Sequence, residues 1–301
     1  MRIVSLIPSG TEILCALGLN EHLVGISHEC DFPEQVQHLP RVTYSFLDEG
    51  LSPSEIDDAV ATAGLEQKPL YGIRGQMLRS LAPDLILTQG VCSVCAVTQD
   101  TVSETLACMP VDTLLPSASV LSLDGGTFAE ILQDIVRVGA SVGATTRAEA
   151  CIARLRTAWP EGSIVTKAPL RVAMLEWPDP LWFAGHWVPE QVAAAGGVDI
   201  FGDAGKPSGR LAIKTLIEAD PDVCVLMGCG LSLQQNTAHM HQLLENPDFA
   251  SMRCVRERQV WAVDANGLFS RPGPRLVDGA RVLAAIFAGR TPAENVALRC
   301  V

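Results

Sequence analysis

The chain has 301 residues, of which 48% are hydrophobic and 19% charged, and its formal net charge at pH 7 is −12. This length accommodates two lobes of ordinary domain size with well-buried cores. The charge argues against nucleic-acid binding, because phosphate contacts need clustered Lys and Arg, and the 22 such residues form no dense run.

The N-terminus and the cysteines bear on cellular location. Residues 1–9 contain one Arg and a short apolar stretch interrupted by Ser5 and Pro8, so they lack the longer apolar core and the cleavage site of a secretory signal. The 10 cysteines are spread over the whole chain and do not resemble a disulfide framework. No uncharged run approaches the roughly 18 apolar residues that span a bilayer. We therefore expect a cytoplasmic protein without a membrane segment.

The N-terminal part of the chain alternates short apolar strands with helices. Ser52 and Glu55 supply the start signal for one of these helices. The predicted strands are 2–6, 23–27, 84–88 and 111–115, and the predicted helices are about 11–17, 54–63, 75–81 and 98–108. Residues 29–50 are predicted to be mostly loop. This alternation indicates a parallel sheet in an α/β lobe.

The longest segment with helical character runs from Thr127 to Trp159. Its apolar residues recur mostly at three- and four-residue steps, as one face of a helix requires. Thr127 with Glu130 has the pattern of a capping box, which satisfies backbone N–H groups of the first turn. Gly139 and Gly143 interrupt the pattern, so the segment is either one rod or two helices that meet near 143–146.

The same alternation resumes after this segment. The predicted strands are 171–175, 199–200, 223–227 and 260–263, and the predicted helices are 188–195, 212–219, 237–245 and 274–288. Residues 176–187 are predicted to form an aromatic loop. A faint internal repeat pairs residues 76–87 with 214–225, each reading as a helix, a Pro-Asp turn and a buried strand.

The predicted fold class is α/β, with two doubly wound lobes joined by a long interlobe α-helix. The predicted domains are an N-terminal α/β lobe at 1–124, a connecting helical segment at 125–160 and a C-terminal α/β lobe at 161–301. Ligand sites commonly lie at the interface of two such lobes.

Several stretches resemble a known family, the substrate-binding proteins with a helical interlobe connector that serve ABC importers of vitamin B12 and iron–siderophores. The matching stretches are Arg2–Glu12, Leu23–Ser27 with Asp31–Pro33, the two Pro-Asp units, Ala194–Gly197, and Val263–Asp264 leading to Arg271–Arg275. They cover nearly the whole chain in the expected order, and the cobalamin-binding branch is the most similar. The resemblance implies a ligand, cobalamin or a related corrinoid, held between lobes that move little.

The chain departs from this family at two positions. Importer-coupled members carry a glutamate on each lobe, eight residues before the Asp of the Pro-Asp unit, that docks on permease arginines. Here those positions are Gln76 and Lys214. A permease arginine that meets Lys214 faces like charge, which is costly at an interface. We therefore predict a binding protein that has left transport, for which docking to an ABC permease is doubtful.

Candidate ligand contacts in the N-terminal lobe lie on loops that follow strands. Such loops carry sites at the carboxyl ends of parallel strands. The candidates are Ser9, Gly10 and Thr11 at a positive helix end, His28 and Cys30 after the second strand, and Gln89, Cys92 and Cys95 after the strand at 84–88. Cys92 and Cys95 form a lone C-x-x-C pair, which is a half metal site, a redox pair or two packed thiols.

Candidates in the C-terminal lobe are aromatic and basic. Trp177, Trp182 and Trp187 flank His186, and large aromatic faces suit the broad surface of a corrin or another macrocycle. The alternative is that one or two of these tryptophans fill the lobe. Arg271 either faces the ligand or caps the last helix.

We predict a non-catalytic, cytoplasmic corrinoid-binding protein that uses these residues. Two alternatives stay open. One is a metal or iron–sulfur protein that uses Cys30, Cys92 and Cys95, with His28 or His186. The other is a thiol redox enzyme that uses Cys92 and Cys95.

Overall fold

The computed structural model describes residues 1–66, 68–90, 101–102, 118–161 and 169–301. The predicted strand 111–115, most of the predicted helix 98–108, and Cys92 and Cys95 lie outside the described residues. None of the helices in the described ranges is long and apolar enough to cross a membrane.

The described elements alternate along the chain, as predicted. The strands are β1 (Ile3–Ser5), β2 (Leu23–Ile26), β3 (Thr43–Ser45), β4 (Tyr71–Ile73), β5 (Leu85–Gln89), β6 (Ser119–Leu123), β7 (Leu170–Pro178), β8 (Leu181–Phe183), β9 (Gly197–Asp199), β10 (Gly209–Arg210), β11 (Val223–Leu226), β12 (Val260–Val263) and β13 (Ala297–Arg299). The α-helices are α1 (Pro8–Ala16), α2 (Pro53–Glu66), α3 (Gly75–Leu81), α4 (Phe128–Ser141), α5 (Thr145–Ala158), α6 (Val188–Ala194), α7 (Ile213–Ala219), α8 (Leu233–Leu244), α9 (Pro247–Ala250), α10 (Arg253–Arg256), α11 (Ala265–Leu268) and α12 (Leu276–Phe287).

The starts of helices α2 and α8 follow local capping chemistry. At the start of α2 the backbone N–H of Ser52 donates to the Glu55 carboxylate at 2.7 Å, which confirms the predicted start signal. Helix α8 begins earlier than the predicted residue 237. The reason is a capping box in which the Ser232 hydroxyl accepts from the backbone of Gln235 and the Gln235 side chain accepts from the backbone of Ser232.

The chain divides into two compact units. The N-unit comprises Met1–Gly125 and Ala129–Arg154, and the C-unit comprises Gly126–Phe128 and Leu155–Val301. Most of the predicted connecting segment therefore groups with the N-unit, and the chain passes into the C-unit inside α5.

The N-unit contains a parallel sheet with strand order β2-β1-β5-β6. Strands β1 and β5 are entirely buried, as expected of central strands covered on both faces. A separate antiparallel ribbon pairs β3 with β4, so that Ser45 lies opposite Tyr71 and Thr43 opposite Ile73. The prediction of mostly loop at 29–50 missed this ribbon, because its strands are short and lack an alternating apolar pattern.

The C-unit contains a mixed sheet. Its order is β10-β8-β7-β11-β12-β13, with β9 also paired to β7. The β7, β9, β11 and β12 strands are parallel, as predicted, whereas β8, β10 and β13 add antiparallel pairs. These added strands have only two or three residues each, too few for a periodic pattern to be recognised in sequence.

The two Pro-Asp units share one hydrogen-bond arrangement. In the N-unit the Asp84 carboxylate accepts from the Arg2 backbone N–H at 2.6 Å, and the Asp84 N–H donates to the Arg2 carbonyl at 2.8 Å. In the C-unit, Asp222 and Arg171 repeat both contacts at 2.8 Å. The internal repeat seen in the sequence therefore corresponds to the same strand-pairing device in both units.

The long helical segment is two helices and not one rod. Helix α4 ends at Ser141 and α5 begins at Thr145, with Gly143 between them at φ +69°, a left-handed conformation that glycine adopts without strain. A Cβ on Gly139 would lie 2.5 Å from the Cβ of Ala148, so the two helices approach closely at this glycine.

We expect Gly139→Ala to lower the free energy of unfolding by about 1–3 kcal/mol, because the new methyl group forces the two helices apart. Gly64→Ala in α2 is the matched control. A Cβ there meets nothing within 4 Å, and alanine favours the helix by about 0.5–1 kcal/mol. Chemical denaturation of both variants measures the difference. A Gly139→Ala protein as stable as the control variant would contradict the close contact.

Candidate functional site

The first turn of α1 packs tightly on the N-unit sheet. Ser9 and Thr11 are buried, and a Cβ on Gly10 would lie 2.8 Å from the Ser5 hydroxyl. The Thr11 hydroxyl lies 3.2 Å from the sulfur of Cys30, which is also buried. Burial therefore indicates a packing role for Ser9, Gly10, Thr11 and Cys30, and it disfavours the predicted contact of their side chains with a ligand.

The His28 side chain is held by a network of hydroxyl groups. Both the backbone N–H of His28 and its ring Nδ1 lie within hydrogen-bond distance of the Thr43 hydroxyl, at 2.9 and 2.7 Å. Thr43 donates to the Ser27 hydroxyl at 3.2 Å, and that hydroxyl accepts from the Glu29 N–H. Thr43 and Ser27 are buried, so the position of the imidazole is well defined.

The loop that carries His28 is also held by Arg41, which lies just before β3. The Arg41 guanidinium donates to the carbonyl groups of Ser27, at 3.0 Å, and Cys30. The ring of Tyr71 lies 5.4 Å from the imidazole. Burial, with smaller contributions from the positive charges of Arg74 and Arg41, lowers the pKa of His28 below its ordinary value of 6.5. The imidazole is therefore neutral at neutral pH.

The remaining N-unit candidates are only partly described. Gln89 is the buried last residue of β5 and pairs with Leu123 of β6. Cys92 and Cys95 lie outside the described residues. Within the described ranges, no group of three His, Cys, Asp or Glu side chains is placed to hold a metal ion. The predicted set of metal ligands therefore stays a prediction wherever it depends on these two cysteines.

Five thiols elsewhere have the character of packing residues. Burial raises the pKa of Cys254 to about 12 and those of Cys15 and Cys300 to about 11, and it also raises the pKa values of Cys151 and Cys224. These thiols stay protonated at neutral pH, and a protonated thiol is a poor nucleophile and metal ligand. Cys151 and Cys224 are buried free thiols, while Cys15 is partly exposed.

The predicted aromatic loop of the C-unit is instead a β-hairpin. Strand β7 extends to Pro178 and turns into β8, so that Trp177 lies directly opposite Trp182. Strand β10 pairs with β8 on the other side and places Arg210 opposite Trp182, with the guanidinium 5.5 Å from the centre of the indole ring. Opposed residues share one face of a sheet, so these three side chains form a row, here called the aromatic row.

The aromatic row is accessible. Both tryptophans are half-buried and Arg210 is exposed. The sequence pattern indicates the two tryptophans but not Arg210. Arg210 lies beside Trp182 through an antiparallel strand pairing that has no sequence motif. Arg210 lies over the indole ring at a distance typical of cation–π contacts.

His186 has an unusual backbone conformation. Its φ is +53°, and its backbone N–H and carbonyl bond to Lys206 and Gly205 at 2.6 and 2.8 Å. The preceding Gly185 is required by the same contact, since a Cβ there would lie 2.4 Å from the Lys206 carbonyl oxygen. The imidazole makes no hydrogen bond to any residue that the structure describes, and burial lowers its pKa. Its predicted ligand contact stays open.

Trp187 fills the interior of the C-unit. It is 6% exposed, and its indole N–H donates to the carbonyl of Phe269 at 2.7 Å. Of the two roles considered for the tryptophans, Trp187 therefore has the structural one, which disfavours its predicted contact with a ligand. Arg271 is half-buried in the segment between α11 and α12. The N-cap position of α12, the last helix, is occupied by Arg275 and not by Arg271.

Asp199 stabilises the loop that follows β9. One carboxylate oxygen accepts from the backbone N–H groups of Phe201 and Gly202 at 3.1 and 3.0 Å, while the other is buried and has no hydrogen-bond partner among the described residues. Burial raises the pKa of Asp199 from its ordinary value of 3.8 to about 6. The charged form is therefore the costly one in the folded protein.

We expect Asp199→Asn to raise the free energy of unfolding at neutral pH by about 1–3 kcal/mol, because asparagine keeps the accepting oxygen and removes the buried charge. Between pH 3.8 and about pH 6, Asp199 is protonated in the folded wild type but ionised in the unfolded chain. The free energy of unfolding of the wild type therefore falls as the pH rises through this range. The difference in free energy of unfolding between the variant and the wild type should therefore grow over that pH range and then stay constant. Denaturation at several pH values checks this, and a pH-independent difference would contradict it.

Comparisons with known proteins agree with the architecture. The periplasmic binding protein family matches residues 3–266 of this chain. A vitamin B12-binding protein of Vibrio cholerae serotype O1 is 26% identical over 282 residues, which is 92% of this chain and 85% of that protein.

Solved structures show the same fold. The apo form of the periplasmic heme-binding protein RhuT from Roseiflexus sp. RS-1 has a TM-score of 0.69 at 23% identity, covering 96% of this chain and 98% of that one. The periplasmic vitamin B12-binding protein BtuF of Vibrio cholerae has a TM-score of 0.63 at 22% identity, covering 95% and 96%. The predicted fold class and the predicted resemblance are both confirmed, and the chain belongs to the periplasmic binding protein family.

Proposed function

We propose that this protein binds a corrinoid of the cobalamin type and releases it unchanged. Membership of the periplasmic binding protein family makes the chain a solute-binding protein for a small molecule. A relative that matches over 92% of this chain is named a vitamin B12-binding protein. The choice of a corrinoid rests on that relative together with the chemistry of the C-unit surface.

The aromatic row is the observation that carries this proposal. Trp177 and Trp182 offer two adjacent indole faces on the surface of a rigid sheet, and Arg210 extends the row. A broad macrocycle buries apolar area against such faces. A sheet presents these groups with little loss of conformational freedom on binding, which favours affinity.

The alternative functions have less support. The metal, iron–sulfur and thiol redox hypotheses all depend on Cys92 and Cys95, which the described ranges do not include. The described part of the chain has no triad of metal-ligating side chains. The aromatic row has no role in these hypotheses, so the binding function accounts for more of the molecule.

The surface positions of Gln76 and Lys214 bear on the transport partner. Each is the second residue of a corresponding helix, α3 or α7, and each is exposed. Lys214 lies 3.7 Å from the Glu218 carboxylate within its own helix. We propose that these residues weaken docking to an importer that presents arginines. The cytoplasmic location stays a prediction.

We expect cobalamin to bind the purified protein with quenching of tryptophan fluorescence. Trp182→Ala should raise the dissociation constant by about tenfold to a hundredfold, because loss of an aromatic face costs about 1.5–3 kcal/mol. Val198→Ala, which removes another exposed apolar group of the C-unit, serves as the control and should change nothing. Equal affinities for wild type and Trp182→Ala would remove the aromatic row from the site. Binding of hemin without any binding of cobalamin would refute the corrinoid assignment.

We expect the wild type not to be retained by an immobilised vitamin B12 permease that presents docking arginines. The double variant Gln76→Glu with Lys214→Glu should gain retention, because it replaces a neutral and a repulsive contact by two attractive ones. Gln76→Ala with Lys214→Ala controls for the loss of the native side chains. Tight retention of the wild type would show that transport coupling persists.

A further inference from the structure

A cavity of about 350 Å³ opens in the N-unit where the chain that follows α1 meets the turn between α4 and α5. Its lining residues come from these two short segments of the N-unit and include Leu19, His22, Val142, Ala144, Thr146 and Arg147. The volume lies at the small end of the range found for ligand pockets, roughly 300–1,000 Å³. Its size therefore suits a small organic molecule.

Backbone hydrogen bonds fix both walls of the cavity. On one side the Leu19 N–H donates to the Leu14 carbonyl at 2.9 Å, and the His22 N–H donates to the Leu19 carbonyl at 3.0 Å. On the other side the Ala144 N–H donates to the Gly139 carbonyl at 2.7 Å, where α4 and α5 approach closely. The cavity is therefore preformed, which favours binding because little conformational freedom is lost.

Arg147 has guanidinium hydrogens that no described residue accepts. Its Nη1 donates to the carbonyl groups of Gly18 and Leu17 at 3.1 and 3.4 Å, which anchors the side chain. The Nε and Nη2 groups have no partner in the described part of the chain, and no carboxylate there forms an ion pair with Arg147. The free edge of a guanidinium matches the two oxygens of a carboxylate.

His22 supplies a hydrogen-bond acceptor to the same cavity. Its Nδ1 lies 3.1 Å from the carbonyl oxygen of Met1. A carbonyl oxygen can only accept, so Nδ1 carries a hydrogen, and Nε2 of the neutral ring keeps its lone pair. Nε2 forms no hydrogen bond to any residue in the described ranges. A ligand with a hydroxyl group next to its carboxylate would satisfy both His22 and Arg147.

The other lining groups narrow the class of ligand. Leu19, Val142 and Ala144 form an apolar wall, which suits an apolar side chain. The described residues that line the cavity include no Asp or Glu. The ammonium group of an amino acid would find no carboxylate there and would meet the charge of Arg147, which is unfavourable. A hydroxy acid therefore fits better than an amino acid.

We propose that this cavity binds a small 2-hydroxy carboxylate with an apolar side chain. The Arg147 guanidinium pairs with the carboxylate, and Nε2 of His22 accepts the hydrogen of the 2-hydroxyl group. The apolar side chain of the ligand packs on Leu19 and Val142. The inference is independent of corrinoid binding, since it uses residues of the N-unit that have no part in the proposed function.

The test is isothermal titration calorimetry of the full chain with 2-hydroxyisocaproate. Three related compounds each lack one feature of this probe. Isocaproate, without the hydroxyl group, should bind about threefold to tenfold more weakly. The amide of the probe, without the negative charge, and leucine, with an ammonium group in place of the hydroxyl, should each bind about tenfold to a hundredfold more weakly.

Variants assign the contacts to residues. Arg147→Gln should weaken binding of the probe by about tenfold to a hundredfold, because it removes the charge-assisted pair. Arg154→Gln is the matched control: Arg154 lies on the same helix and donates to the Ala16 carbonyl at 3.4 Å, but it does not line the cavity, so affinity should not change. His22→Phe should abolish the preference for the probe over isocaproate.

A further variant separates loss of binding from loss of folding. Ala144→Leu fills the cavity and leaves its polar groups in place, so it should prevent binding while circular dichroism shows a folded protein. Absence of binding heat with wild-type protein would refute the proposal. Equal affinities for the probe and isocaproate would refute the role of the hydroxyl group. Equal losses in Arg147→Gln and Arg154→Gln, or full binding by Ala144→Leu, would refute the location.

Discussion

The aspartate of each Pro-Asp unit fastens the first strand of its sheet to a neighbouring strand. Asp84 accepts a hydrogen bond from the Arg2 backbone and returns one to the Arg2 carbonyl, and Asp222 does the same with Arg171. Each pair determines where two parallel strands begin relative to one another. Because a one-residue slip would turn every side chain to the other face, these contacts also determine which residues emerge at the carboxyl ends. The loops that carry the candidate contacts depend on that register.

Hydrogen bonds from neighbouring residues hold the His28 side chain and its loop in place. The hydroxyls of Ser27 and Thr43 are buried and bonded to each other, and Arg41 holds the loop carbonyls. Both hydroxyls have hydrogen-bond partners, so the network fixes the position of the loop. In the C-unit, backbone pairing has the same effect, since β7, β8 and β10 place two tryptophans and one arginine in a fixed row.

Trp182 and Trp187 show that local composition does not distinguish a buried tryptophan from a partly exposed one. Both belong to the same tryptophan-rich stretch, and the sequence treats them alike. Trp187 finds a carbonyl partner at Phe269 and becomes part of the interior, whereas Trp182 stands on a strand whose face is partly open. A buried indole needs a partner for its N–H, and that partner is far away in the chain. Local sequence therefore could not separate the two roles.

The sequence by itself determined the features that arise from local periodicity and turn chemistry. The alternation of strands and helices, the capping pair Ser52 and Glu55 and the repeated Pro-Asp unit all follow from residues close together in the chain. The tertiary structure alone decided the contacts between distant residues: Thr43 with His28, Arg210 with Trp182, and the burial of Thr11 against Cys30. Strand pairing and side-chain packing join segments that no local pattern connects, and these contacts decide which candidate residues are exposed and which are buried.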